Sequence, residues 1–285
     1  MASTKTTKKD VSSEDKAKAE IAFVRSQIYR LLSLAFLYPK EEFFNSLSKG
    51  SFIKELKDYF SYILVNNTKE ITKEMGDNAI EVITALEELI SNEFPNRELS
   101  YLEEKFITVF GHTVHKDYPP QGSHYGTGHM FQSSQHLADL AGYYNAFGLE
   151  HGGKQLEGLD HISLELEFMY VLTFKEGYAF ENDGSEKADV CIKAQKKFMK
   201  NEIGSWGSLF AKLLETKGKD EYYTKIGGLL KVFLGMETAF LKVKPRKLKA
   251  PDASDSLDES ARVRGGMECG HEAIKDSTQV ADFIK

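Results

Sequence analysis

Residues 118–169 read YPPQGSHYGTGHMFQSSQHLADLAGYYNAFGLEHGGKQLEGLDHISLELEFM, and this stretch decides the fold. Apolar residues recur at three- and four-residue steps in 128–147 and again after position 160, which predicts two helices. A polar loop joins them and ends in the pair Asp160-His161. The stretch contains neither a nucleophile beside a base nor a phosphate-binding loop. It therefore indicates a place where a helical protein holds a bound molecule.

The same helical periodicity extends over most of the chain. It predicts helices at residues 14–38, 51–64, 78–90, 98–110, 128–147, 160–176, 186–203, 206–214 and 222–241. Strand-like alternation is rare, and no linker divides the helical region. We therefore predict an all-α fold, with a single globular domain of about nine or ten helices at residues 14–245. Residues 1–13 and 246–285 are mostly polar, which predicts a disordered N-terminal tail and a flexible C-terminal tail.

Composition suggests the compartment. The first residues carry positive charge but no apolar run, so we expect no secretory signal, and no stretch is apolar enough to predict a transmembrane helix. The two cysteines, Cys191 and Cys269, are far apart, which favours reduced thiols over a disulfide scaffold. We expect a cytoplasmic protein.

The negative charge is concentrated in the middle of the chain. The formal net charge is −6 overall, yet residues 98–189 contain 15 acidic and 5 basic residues. Nucleic-acid binding needs clustered Lys and Arg, so this pattern argues against it. An acidic middle is compatible with a cationic partner, although composition alone favours an ordinary solvated acidic surface.

Signals for catalysis and metal binding are weak. Seven of the eight histidines lie between His112 and His161, but His112 and His115 stand in a Pro-Gly loop without the helical scaffold of a metal site. Cys191 has no histidine near it in sequence, and Gly126-Thr127-Gly128 follows no strand. We expect no catalytic residue and no metal or other cofactor.

A group of carboxylates, Glu157, Asp160, Glu165 and Glu167, stands around the start of the second helix. Asp160 is a natural N-cap, and an acidic residue at that end suits the helix dipole. The spacing fits two interpretations: a small acidic pocket that accepts cationic or amide donors, or a helix cap beside a solvated face.

Residues 157–169, EGLDHISLELEFM, carry a resemblance to the TorD-like maturation chaperones of redox enzymes. The likeness is strongest to chaperones that serve type II enzymes of the dimethyl sulfoxide reductase family. Further similar stretches are 29–39, 125–150 and 191–214, followed by Tyr222-Tyr223, so that it spans about residues 20–245. The chain departs from the family pattern at Leu159, where proline is usual, and after Pro120, where a Tyr-Glu pair is usual.

The resemblance implies an all-helical, non-catalytic chaperone without a cofactor. Such proteins bind the apo catalytic subunit of a molybdopterin oxidoreductase, often through its twin-arginine signal peptide, until the cofactor is inserted. It places the client-peptide site at Glu157, Asp160 and His161, with an adjacent loop of Tyr118, Pro119, Pro120 and Tyr125. His161 is expected to add a donor whose charge responds near neutral pH.

Other interpretations of the chain remain open at this point. Trp206, Phe210 and Tyr223 are expected in the core rather than at the client site, because aromatics at helical spacing usually pack inward. Two alternative functions are a metal-dependent helical enzyme that uses the histidines of 112–161 and a general helical adaptor.

Overall fold

The computed structural model describes residues 11–66, 69–111, 117–126, 130–149 and 158–250, with backbone alone at 130–134. Within these ranges the chain forms a 3-10 turn (Gly122–His124) and ten α-helices: α1 (Ser13–Ala35), α2 (Glu41–Ser48), α3 (Ser51–Asn66), α4 (Lys73–Glu93), α5 (Leu99–Phe110), α6 (Met130–Ala146), α7 (Ile162–Asn182), α8 (Ser185–Asn201), α9 (Ile203–Lys217) and α10 (Glu221–Leu241). The described ranges contain no β-strand, only an isolated antiparallel bridge between Gln121 and His161. The predicted all-α class is confirmed, while the domain limits at residues 14 and 245 stay predictions.

Local chemistry explains two differences from the predicted helices. α4 begins at Lys73 rather than at residue 78, because the Thr72 hydroxyl caps it by accepting from the N–H of Met75 at 3.2 Å. The short helix α2 was not predicted. It buries Phe43, Phe44 and Leu47, but eight residues are too few to give a clear periodic signal.

The helix pair α1 and α7 has the most extensive contact in the described chain. Small residues permit this closeness: Ala19 and Ala22 on α1 are fully buried, and a Cβ added to Gly177 on α7 would lie 2.8 Å from the Phe23 ring. α8 packs on α7, and α10 packs on α9 and α4. Together they enclose one large aromatic and aliphatic core and a small satellite around Phe180.

A buried charge network ties four of these helices together. Arg25 on α1 donates from Nε and Nη2 to the Glu237 carboxylate of α10 at 2.8 and 2.7 Å. Its Nη1 reaches Glu176 of α7 at 3.1 Å, and its Nη2 reaches Gln195 of α8 at 2.8 Å. The Tyr29 hydroxyl donates to Glu237 at 2.8 Å. Because a buried charge is tolerated only when it is paired and hydrogen-bonded, this network fixes how the four helices meet.

Candidate functional site

The structure brings two of the predicted site segments together. The loop before the 3-10 turn lies against the start of α7: Ile162 N–H donates to the Pro120 carbonyl at 2.8 Å, and Gly122 N–H donates to the Asp160 carbonyl at 2.9 Å. On the other side, the Tyr144 hydroxyl of α6 donates to the Leu159 carbonyl at 2.7 Å. Glu157, the first residue of the predicted site, lies outside the described residues.

Asp160 does not cap α7, so that expectation was wrong. The helix begins at Ile162, and its N-cap is His161. The Asp160 carboxylate instead accepts from the N–H of Ser123 at 2.8 Å and is only 4% exposed. A carboxylate one residue outside the cap cannot reach the first free N–H groups of the helix, but it can reach the loop. Asp160 therefore holds the 3-10 turn against the start of α7.

His161 caps α7 through Nδ1, which accepts from the Ser163 N–H at 3.3 Å and lies 2.6 Å from the Ser163 hydroxyl. An accepting Nδ1 places the ring proton on Nε2. Burial lowers the pKa of His161 to about 4, although the charge of Asp160 opposes that change. The expectation of a charge that responds near neutral pH is therefore wrong, because the ring is neutral in that range.

The predicted loop residues form a packed support. Tyr118, Pro119, Pro120 and Tyr125 are all buried. The Tyr125 hydroxyl donates to the Pro119 carbonyl at 2.8 Å, and its ring lies 5.4 Å from that of Trp206. A Cβ added to Gly122 would meet Trp206 Nε1 at 2.8 Å, so only glycine fits above the indole. Of the predicted loop residues, Tyr125 also reaches an adjacent cleft.

This cleft has a volume of about 1280 Å³ and lies between the 3-10 turn, α6, α8 and α9. Four aromatic side chains line it: Tyr125, Tyr143, Phe147 and Trp206. Charged or titratable side chains also line it: His136, Asp139, Lys193, Lys197, Glu202 and Arg246. Aromatic walls beside charges of both signs suit a peptide that has apolar and ionic side chains.

Two buried acids lie at the base of the cleft. Glu202, between α8 and α9, is 8% exposed, and His136 Nδ1 lies 3.4 Å from its carboxylate. Behind it, Glu165 of α7 accepts from Trp206 Nε1 at 2.9 Å, and its second oxygen has no hydrogen-bond partner among the described residues. Burial and the nearby charge of Glu202 raise the pKa of Glu165 well above its ordinary value. Burial therefore favours the protonated form of Glu165, and because the side chain is fully buried the solvated-face interpretation fails for it.

Comparison with known proteins adds a second line of argument. Residues 72–212 match the family described as "Nitrate reductase delta subunit". The chain is also similar to the "Perchlorate reductase assembly chaperone protein" of Dechloromonas aromatica (strain RCB), with 25% identity over 218 residues, which is 75% of this chain and 88% of the relative. These two matches support a similarity to the TorD-like redox-enzyme maturation chaperones. The resemblance predicted from the sequence is confirmed.

The matched region runs from the cap of α4 into α9 and includes the loop, the start of α7 and most of the cleft. Arg246 and Leu248, which also line the cleft, lie beyond it. The name of the relative is that of an assembly chaperone rather than of an enzyme. In the described ranges, no helix is long and apolar enough to span a bilayer.

Sequence reasoning did not find the cleft. Trp206 was assigned to the core, and it is indeed only 2% exposed, but its indole also lines the cleft. Glu202 went unnoticed because the periodicity placed it inside a predicted helix at 186–203, whereas the structure ends α8 at Asn201 and begins α9 at Ile203. His136 and Tyr143 lie on the partly exposed face of α6, and nothing in their spacing distinguishes them from a solvated surface.

The remaining candidates for chemistry are the histidines of 112–161 and Cys191. Among the described residues, no group of three or more His, Cys, Asp or Glu could hold a metal ion. His112, His115 and His129 lie outside those residues. Cys191 is buried, and burial raises the pKa of its thiol to about 11. A thiol held in its protonated form is a poor nucleophile.

Proposed function

We propose that this chain is a cytoplasmic, system-specific chaperone for the catalytic subunit of a molybdopterin oxidoreductase, of the type II branch of the dimethyl sulfoxide reductase family. It would bind the immature subunit, often through its twin-arginine signal peptide, and assist cofactor insertion before export. It would transform no substrate and need no cofactor of its own. The similarity to a perchlorate reductase assembly chaperone supports a reductase subunit as the partner.

The observation that carries the proposal is the aromatic cleft beside the family loop. A signal peptide presents arginines followed by an apolar segment. Tyr143 and Phe147 give the apolar side chains a surface to bury against, while Asp139 and Glu202 can pair with guanidinium groups. Burying three large side chains gives about 1.5–3 kcal/mol each before ordering costs, so micromolar affinity at about −8 kcal/mol requires the ion pairs as well.

The predicted client residues take distinct parts in this proposal. Tyr125 would meet the peptide directly, and the resemblance assigns Glu157 to the same contact. Asp160 and His161 would act mainly by fixing the loop to α7, since both are buried by its contacts. Tyr118, Pro119 and Pro120 would support that loop from beneath.

Calorimetry with a synthetic leader peptide tests the proposal. The probe is a synthetic twin-arginine leader peptide from the catalytic subunit of a molybdopterin oxidoreductase. Tyr143→Ala removes a half-buried ring from the cleft wall and should weaken binding by about tenfold or more. Tyr59→Ala removes a half-buried ring from α3, which does not line the cleft, and should leave affinity unchanged. If both variants keep their helicity and bind the leader with the same affinity as the wild type, the cleft is not the binding site of the leader peptide.

The role in maturation needs a separate measurement. In cells that lack the chain, the catalytic subunit should accumulate without its molybdenum cofactor, and metal analysis of the purified subunit measures this directly. A fully loaded subunit in those cells would contradict the role in cofactor insertion while leaving peptide binding to be judged by calorimetry.

A further inference from the structure

The chain beyond α10 turns back over the cleft. Lys242 adopts a left-handed conformation with φ of 54°. Its N–H donates to the Ala239 carbonyl at 3.1 Å, and the Val243 N–H donates to the Thr238 carbonyl at 3.1 Å. This pair of hydrogen bonds ends the helix and reverses the chain. Residues 243–250, here named the C-terminal strap, then run without helical structure.

Val243 packs against the core at the start of the strap, and beyond it a backbone contact and the Leu248 side chain hold the strap. Arg246 N–H donates to the Lys200 carbonyl near the end of α8 at 3.0 Å. Leu248 is half-buried and packs against the core, and its Cδ2 lies 3.5 Å from the position of a Cβ added to Gly126. Gly126 has φ of 96°, which L side chains rarely adopt. The leucine therefore lies over the glycine end of the family loop.

Alternate residues of the strap face the cleft. The exposed Arg246 and the half-buried Leu248 line it, whereas the exposed Lys247 and Lys249 do not. A period of two is the pattern of an extended chain, whose successive side chains point to opposite sides. The strap thus lies on the cleft in the manner of an extended peptide, with an arginine and a leucine as its contact residues.

The composition of this segment matches the ligand proposed for the cleft. Residues 242–249 read KVKPRKLK, with five basic and no acidic residues. Burial raises the pKa of Glu202, and the positive charge of Arg246 opposes that rise, so the two charges lie close enough to interact. A basic residue followed by a branched apolar one is also what a signal peptide offers where its basic and apolar regions join.

We propose that the strap is an internal mimic of the client peptide, with Arg246 and Leu248 occupying the part of the cleft that the client's basic-to-apolar junction takes. The inference rests on the proposed function, and it adds regulation to the same site.

The client must displace the strap to bind fully, so the closed strap lowers the apparent affinity of the cleft for weakly binding peptides. The cleft accordingly prefers extended segments in which an apolar side chain follows a basic one at the second position.

Two matched variants of the full chain test the strap. Arg246→Ala with Leu248→Asp removes both cleft contacts and lowers the net charge by two. Lys247→Ala with Lys249→Ala lowers it equally but alters only side chains that face away. The chain contains one tryptophan, Trp206, and it lines the cleft. With a probe peptide that has no tryptophan, the fluorescence emission of Trp206 therefore reports both the position of the strap and the binding of the peptide.

The proposal predicts three results. The first variant should shift Trp206 emission to longer wavelength and bind the leader peptide about fivefold more tightly than the wild type, while the second should match the wild type in emission and not gain affinity. A free peptide of residues 242–250 should compete with the leader for the first variant. The same peptide carrying the two substitutions should compete far less.

Two outcomes would refute the proposal that the strap mimics the client peptide. One is leader binding at equal or weaker affinity in the first variant, and the other is equal competition by the two free peptides. Both would leave the proposed function intact. Failure of the leader to bind any of the proteins would refute peptide binding itself and, with it, the competing role of the strap.

Discussion

Replacing His161 with asparagine should reduce the acid sensitivity of the fold. In the native protein, Nδ1 of His161 accepts from Ser163, and burial lowers the pKa of the ring to about 4. A proton on Nδ1 would end that hydrogen bond and place a charge in a buried site. Asparagine is a good N-cap and does not titrate, so the His161→Asn variant keeps the cap and removes the proton-binding group.

The direction and size of the effect follow from linkage. The folded pKa lies below the value of 6.5 for a free side chain, so the stability contributed by the neutral ring is fully present above about pH 6.5 and is lost as the pH falls toward about 4. A difference of about 2.5 pKa units corresponds to about 3 kcal/mol of unfolding free energy. The unfolded chain binds the additional proton, so stability should rise with pH across this window.

Urea unfolding followed by far-ultraviolet circular dichroism measures the effect at a series of pH values from about 7.5 to about 4.5. The free energy of unfolding of the wild type minus that of His161→Asn should fall by about 2–3 kcal/mol over this range. Other titrating groups cancel in the difference, because both proteins contain them. Parallel curves for the two proteins would refute the assignment of His161 as a buried neutral cap.

Three further predictions concern the core and the base of the cleft. Arg25→Ala leaves the buried carboxylates of Glu176 and Glu237 without their cation, so chemical denaturation should show a loss of about 3–5 kcal/mol; a loss below about 1 kcal/mol would contradict the network. Gly122→Ala places a methyl group against Trp206, so it should destabilise the protein by about 1–3 kcal/mol and change the fluorescence emission of Trp206. Unchanged emission would show that the loop does not rest on the indole. Glu165→Gln should change stability by less than about 1 kcal/mol at neutral pH, because burial already favours the protonated carboxyl and the amide oxygen can still accept from Trp206. A larger loss in a denaturant titration would indicate an ionised Glu165.

The sequence predicted the all-α class and most helices because apolar periodicity records which face of each helix is buried. Ile28, Leu32 and Ala35 of α1, for example, recur at helical spacing, and all are fully buried. The pattern failed where a single side chain decides the outcome. By residue type Asp160 is the favoured cap, and only the position of the loop, with its Ser123 N–H as a competing donor, assigns the cap to His161.

The site was only partly predictable for a related reason. The family signature led to Asp160, His161 and the loop at 118–125, and the structure brings these segments together. The cleft itself is assembled from α6, α8, α9 and the strap, which are distant in sequence. Periodicity carries no information on which exposed helix faces meet, so Tyr143 and Glu202 could not be assigned to a common site.

The Arg25 network has a consequence for how the protein is made. Arg25 and its principal acceptor Glu237 are separated by 212 positions, so the N-terminal helix emerges from the ribosome long before its counter-charge is synthesised. Until α10 is complete, packing α1 into place would leave a guanidinium without that acceptor in an apolar surrounding. The N-terminal half is thus kept from closing prematurely, and a chain interrupted before α10 presents an unfinished fold to quality-control proteases.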